Sequence, residues 1–242
     1  MAALNSNDPL TKLLPDTYTL AFTKPFVNEI LPVDGLTAAF KCQTGELPWL
    51  KSNETTQGVN LDLNLKTPTG CNWLVHGISL ESTWRHLKSE NSKLPIGVRE
   101  ALDNTMKNAV KYSLKADFTE KTDSIIPSNG ISLNGDIEVA KTGTADHVKF
   151  NASSKFYKSI PNTKVTACLS SRIGHMVGKN IELQDKFFVG GPLDLRGYRL
   201  NEAGEKTGGN SLLACGLHCY YPLGSNINAH AFATVRVKLG CK

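Results

Sequence analysis

No stretch of this 242-residue chain approaches the ~18 consecutive apolar residues of a membrane helix. That excludes a helical anchor and leaves open a membrane crossed by strands. The opening MAALNSNDPLTKLL has no basic head, and Asn5, Asn7, Asp8 and Lys12 interrupt any apolar core. It reads neither as an export signal nor as an arginine-rich amphipathic presequence. Cysteine is sparse: Cys42, Cys71, Cys168, Cys215, Cys219 and Cys241, with no C-x-x-C pair. An even count permits disulfides, but so long and regular a chain is not a stapled secreted module, and separate reduced thiols are the preferred reading. Neither sign of charge dominates. Lys and Arg number 27 against 22 Asp and Glu, and a scattered net charge of +5 gives no nucleic-acid footprint. No Ser/His/Asp order, phosphate loop or metal-ligand spacing stands out, so the expectation is no enzyme, no cofactor and no metal. Cys215, His218 and Cys219 come nearest to a metal set, but on a strand the two cysteines share one face and His218 takes the other.

What the chain does have is alternation. In MKNAVKYSLKADFTE, Met106, Val110, Tyr112, Leu114, Ala116 and Phe118 share one parity, with Asn108 the exception. Lys107, Lys111, Ser113, Lys115, Asp117 and Thr119 share the other. Successive strand side chains point to opposite faces, so this is one apolar and one charged face; a helix would wrap the lysines around the apolar side. The pattern recurs around Val59–Leu65, Ile131–Val139, Val148–Phe156, Val165–Ile173, Leu213–Tyr221 and Ile227–Val237. Weaker strands fit at Thr17–Thr23, Leu36–Cys42, Leu74–Trp84 and Ile96–Asp103, the last of which fits a helical turn equally well. The sum is about eleven strands of roughly eight to twelve residues, many long enough for a tilted membrane strand. Turn residues punctuate them in PTGCN, IPSNG, KTGTAD and IPNT. Two architectures give such repeats: a soluble sandwich with one buried face, and a membrane barrel that is apolar outside and polar inside. Strands longer than the usual five or six residues and lysine-rich polar faces favour the barrel.

One long loop does not alternate. DKFFVGGPLDLRGYRL is followed by GGNSLLACGLHCYYPL, which sets Gly190 and Gly191, then Arg196, Gly197 and Tyr198, then Gly208 and Gly209. This spacing resembles the bacterial surface antigen family, the barrels that assemble outer-membrane proteins. Within it, TGELPW (44–49), ESTWRHL (81–87) and GLHCYYPL (216–223) resemble, in order, segments of the mitochondrial sorting and assembly machinery barrel subunits. The likeness runs from about Thr17 to about Phe232.

The resemblance implies an all-β, antiparallel transmembrane barrel with the glycine-rich loop folded into its lumen. It implies a role in inserting β-barrel proteins into the mitochondrial outer membrane. The implied partners are the lipid bilayer, unfolded β-barrel precursors and other subunits of the sorting and assembly complex. Family barrels have about sixteen strands, with this loop after the eleventh. Here the loop follows the ninth expected strand, so the likeness implies a partial barrel domain over residues 17–242 behind a tail at 1–16. The family's first two and last three strands would be missing, along with its N-terminal polypeptide-transport-associated domain. Such a chain, without both seam strands, would not insert clients unaided.

A lumenal Arg196 would have to pair with inward carboxylates, because a buried guanidinium needs a partner. The residues alone favour a solvated surface arginine, and the family resemblance is what favours the lumen. Asp62, Asp117, Asp136 and Glu138 are the inward candidates, and no acid follows Glu205. Inward Lys107, Lys111, Lys115, Lys149 and Lys155 either guide an acidic unfolded chain or are simply hydrated. Trp49, Trp73 and Trp84 lie near strand ends, as in an interfacial belt or in ordinary packing. Two alternatives remain beside assembly: a passive outer-membrane channel or polypeptide translocation pore, and a soluble all-β binding protein.

Overall fold

The structure, a computed structural model, describes residues 17–25, 33–47, 52–65, 73–89, 94, 96–120, 126–191, 197–199, 201–203, 207–223 and 227–239. Ten strands form one sheet in sequence order: β1 (Thr17–Pro25), β2 (Val33–Leu47), β3 (Ser52–Leu65), β4 (Leu74–Lys88), β5 (Asn104–Asp117), β6 (Asn129–Ala140), β7 (Asp146–Ser159), β8 (Thr166–Asn180), β9 (Ser211–Pro222) and β10 (Asn228–Leu239). Every neighbouring pair is antiparallel, as expected of an up-and-down meander.

The strands are inside out relative to a soluble protein. On β5, Lys107 is 6% exposed while Val110 is 51% exposed. Glu138, His147 and Arg85 are buried, whereas Leu133, Ile137, Phe150, Leu169, Ile173 and Leu217 are exposed. A sandwich sends its aliphatic parity inward; here that parity faces out and the ionic parity faces in, the arrangement of a barrel whose outer surface meets hydrocarbon.

One expected strand is absent. Residues 96–103 form a helical turn, α1 (Ile96–Arg99), and a following turn rather than a strand. Leu94, Val98 and Leu102 recur every four residues, a helical spacing, and pack against Leu87 and Leu183. The described strands therefore number ten, and the glycine-rich connection follows the eighth.

The register places this connection at the same end of the barrel as the β2–β3, β4–β5 and β6–β7 connections. The described residues between 181 and 210 turn back against the polar face through Asp185. They begin with a 3-10 turn, Leu183–Asp185, which α1 covers through the Leu87, Leu94, Val98 and Leu183 cluster. Trp73 precedes β4 and stacks on Phe118 at 4.5 Å, while Trp84 is exposed on the outward parity near the other end of β4. Trp49 lies outside the described residues.

Candidate functional site

The glycine-rich connection is cinched before it reaches its tip. Phe187 and Gly209 exchange two backbone hydrogen bonds of 2.9 Å, Ala203 N–H donates to Val189 at 2.9 Å, and Gly191 N–H donates to the Tyr198 carbonyl at 3.1 Å. Gly190 adopts φ +128°, and a Cβ there would stand 2.4 Å from the Arg199 carbonyl oxygen. Gly208 is also left-handed, at φ +69°. Backbone shape and close passage both require glycine at these two places. Phe187 and Val189 then pack into an apolar cluster with Met176 and Leu212, fixing the base of the loop to β8 and β9.

Beneath this base lies a buried ionic cluster whose hub is Asp185. The Arg85 guanidinium on β4 donates two hydrogen bonds of 3.1 Å to the two Asp185 oxygens. The Lys107 ammonium on β5 stands 3.4 Å from Asp185, 2.8 Å from Glu138 and 3.4 Å from Glu81. Lys149 on β7 donates to the Asp185 carbonyl at 2.7 Å and lies 4.8 Å from the centre of the Phe187 ring. His147 Nε2 meets Glu138 at 3.2 Å. One loop residue is thus tied directly to β4, β5 and β7, and through Lys107 and Glu138 to β6. The planar fork of Arg85 matches both carboxylate oxygens, and charge-assisted bonds of this kind set orientation as well as attraction. Burial opposes ionisation of Asp185, but Arg85 and Lys107 outweigh it and hold the carboxyl below its ordinary value.

Glu138, His147 and Asp185 have ligand atoms within 4.8 Å of one another. The Lys107 ammonium already bridges the two carboxylates, so a protein cation fills the role a metal would take. The register also separates Cys215 and Cys219 from His218 by face; His218 hydrogen-bonds Ser170 at 3.2 Å and His230 at 3.0 Å.

Of the four inward acids, Glu138 belongs to the cluster. Asp136 pairs with Lys111 at 3.5 Å and accepts from Asn151 at 3.1 Å. Asp62 accepts from the Ser79 hydroxyl, and Asp117 bonds Thr119 two residues along its own chain. Asp136 and Glu138 line a cavity of about 520 Å³ between the sheet and the loop, together with Arg172, Lys186, Phe188 and Asn201. Asp117 lies at the far end of β5, away from the loop. Arg196 lies outside the described residues, as do 192–195 and 204–206. Gly197 and Tyr198 are exposed.

Sequence reasoning expected an arginine on the loop to seek acids on the wall. Among the described residues the visible lock has the opposite polarity: an acid on the loop, Asp185, held by an arginine on the wall, Arg85. Both residues stood inside segments singled out for their likeness, DKFF and ESTWRHL. Arg85 on the polar parity next to outward Trp84 was the available signal.

The Omp85 superfamily domain matches residues 14–235. The Sorting and assembly machinery component 50 homolog of Bos taurus is 28% identical over 190 residues, covering 74% of this chain and 39% of that protein. The homolog of Xenopus tropicalis is 24% identical over 217 residues, covering 86% and 44%. In fold, the chain resembles BamA from Haemophilus ducreyi, crystallised lacking POTRA domains 1-3, with a TM-score of 0.74 at 14% identity over 93% of this chain and 49% of that one. The chain spans less than half the length of the curated relatives it matches.

Proposed function

The chain belongs to the Omp85 superfamily, and on that premise we propose that it acts in the insertion and assembly of β-barrel proteins in the mitochondrial outer membrane. The observation that carries this reading is the loop lodged on the ionic face of the barrel by Asp185. A connection cinched at its base and pinned to three strands takes up lumenal space that a pore open to small solutes would leave clear, which favours the assembly reading. An assembly barrel needs a rigid lumenal element that keeps the wall strands in fixed register while clients are handled elsewhere on the barrel. The work is positional, and no bond-making chemistry is asked of the cluster.

In this reading Arg196 completes the lock from the loop's tip. Asp136 is its proposed partner: it lines the cavity under the loop, and its described contacts, to Lys111 and Asn151, leave carboxylate lone pairs for a guanidinium. The proposed partners are the bilayer, unfolded barrel precursors and other subunits of a sorting and assembly complex.

Depletion of the protein tests the reading. Assembly of newly imported outer-membrane barrels into heat-resistant, protease-protected forms is expected to fall. Intact assembly with reduced solute flux would assign the protein to passive transport instead.

A further inference from the structure

Asn108 interrupts the apolar parity of β5, and on the outer surface it has company. The Ser82 hydroxyl donates to Asn108 Oδ1 at 2.8 Å, and Asn108 Nδ2 donates to the Thr142 carbonyl. Ser82 and Asn108 are register partners, one outward position in from the register pair Trp84 and Met106. They form the rim of an outward depression of about 490 Å³, shared with Lys141 and Thr142 of the β6–β7 connection. Its floor is largely apolar and includes Leu61, Leu80 and Val110; Glu81 also lines it, with its carboxylate engaged by Lys107 of the inward cluster at 3.4 Å.

The depth of this groove follows from Trp84. It is exposed on the outward parity near the end of β4, where barrels carry an aromatic girdle. Lys141 and Thr142 lie just beyond the end of β6 at the same end of the sheet. Trp84 therefore marks one boundary. The polar rim lies at headgroup and glycerol level, and the floor lies in hydrocarbon. Lys141 is exposed on the outward parity and forms no ion pair among the described residues.

We propose that this groove is a binding site for one anionic glycerophospholipid. The phosphate pairs with Lys141 and the Thr142 hydroxyl. The second N–H of the Asn108 carboxamide faces the glycerol ester oxygens, and an acyl chain lies over Leu80 and Val110. A zwitterionic lipid fits the same floor but brings its own ammonium to Lys141, so the lysine supplies the selection. One lysine at a membrane surface corresponds to roughly fivefold preference for the anionic headgroup. The partition of polar rim and apolar floor across the interface argues for a lipid over a protein partner.

Trp84 is a built-in reporter. The full chain, carrying Trp49→Phe and Trp73→Phe, is reconstituted into phosphatidylcholine vesicles doped with a brominated lipid, either phosphatidylglycerol or phosphatidylcholine. Brominated phosphatidylglycerol is expected to quench Trp84 at about fivefold lower mole fraction. Lys141→Gln should equalise the two lipids, while Lys164→Gln, an exposed lysine on the turn at the opposite end, should leave the preference intact. Equal quenching in the parent chain overturns the proposal. So does a preference that survives Lys141→Gln, or quenching by neither lipid, which would mean that protein covers the groove. Client assembly is scored separately, so the lipid site and the assembly role stand or fall independently.

Discussion

Arg85 and Asp185 stand 100 residues apart in sequence and face each other through two parallel hydrogen bonds of 3.1 Å, both side chains nearly excluded from solvent. Removing one partner strands a buried charge, which costs about 3–5 kcal/mol. Arg85→Ala or Asp185→Ala is therefore expected to release the loop base from the wall, seen as new protease cleavage between residues 186 and 210. Arg85→Lys keeps charge without the fork and should fall between. Cleavage unchanged in all three variants would make the pair incidental.

Acid should act on the same contact, in a direction the structure fixes. The Asp185 carboxyl is held below its ordinary value of about 3.9 by Arg85 and Lys107, against the opposing effect of burial. A group with a lowered folded-state pKa contributes stability that is complete above the unfolded pKa and is lost as pH falls through the folded one. Loop protection is thus expected to persist at pH 5 and to fail only below the usual aspartate range. Pepsin digestion across that range reads it directly, and Asp185→Asn should remove this acid transition.

Backbone shape gives a further test. Gly190→Ala adds a Cβ that would sit 2.4 Å from the Arg199 carbonyl oxygen, at φ +128° where side chains are strained. The cinch at Val189–Ala203 should loosen and cleavage near Tyr198 should rise. Gly197→Ala, with nothing within 4 Å of the added carbon, should be tolerated far better.

The proposed pairing of Arg196 with Asp136 predicts matched phenotypes. Arg196→Lys and Asp136→Asn should each lower client assembly, because a lysine loses the planar fork and an amide loses the charge. Their double variant should be little worse than either single one, as coupled partners are non-additive. Additive losses would separate the two residues.

The fold was legible because strand parity survives any uncertainty in boundaries: Val110, Tyr112 and Leu114 against Lys107, Lys111 and Lys115 announce two faces whichever residue begins the strand. The direction of those faces was less legible, since a sandwich and a barrel share the alternation and differ only in which parity meets water. Residues 96–103 fitted a strand and a helical turn equally well, because the four-residue turn they form is too short to show its period unless Leu94 is read together with Val98 and Leu102. The Asp185 hub could not be read at all. A contact spanning 100 residues is fixed by where the loop folds back, and nothing local to DKFF distinguishes an acid that is buried from one that is solvated.

The inside-out faces supply the last prediction. Ile173 lies at the middle of β8 on the outward parity and is 49% exposed. Were that face in water, Ile173→Arg would be a surface change worth within about 0.5 kcal/mol. At the centre of a lipid-facing strand the same substitution costs about 2–4 kcal/mol, falling toward zero near the interfaces. The variant should therefore lower the fraction of protein that resists alkaline extraction from membranes. Thr166→Arg, inward and at the end of the same strand, should leave extraction unchanged. Release of the parent protein by alkali, or indifference to Ile173→Arg, would return the apolar face to water and with it the whole assignment of inside and outside.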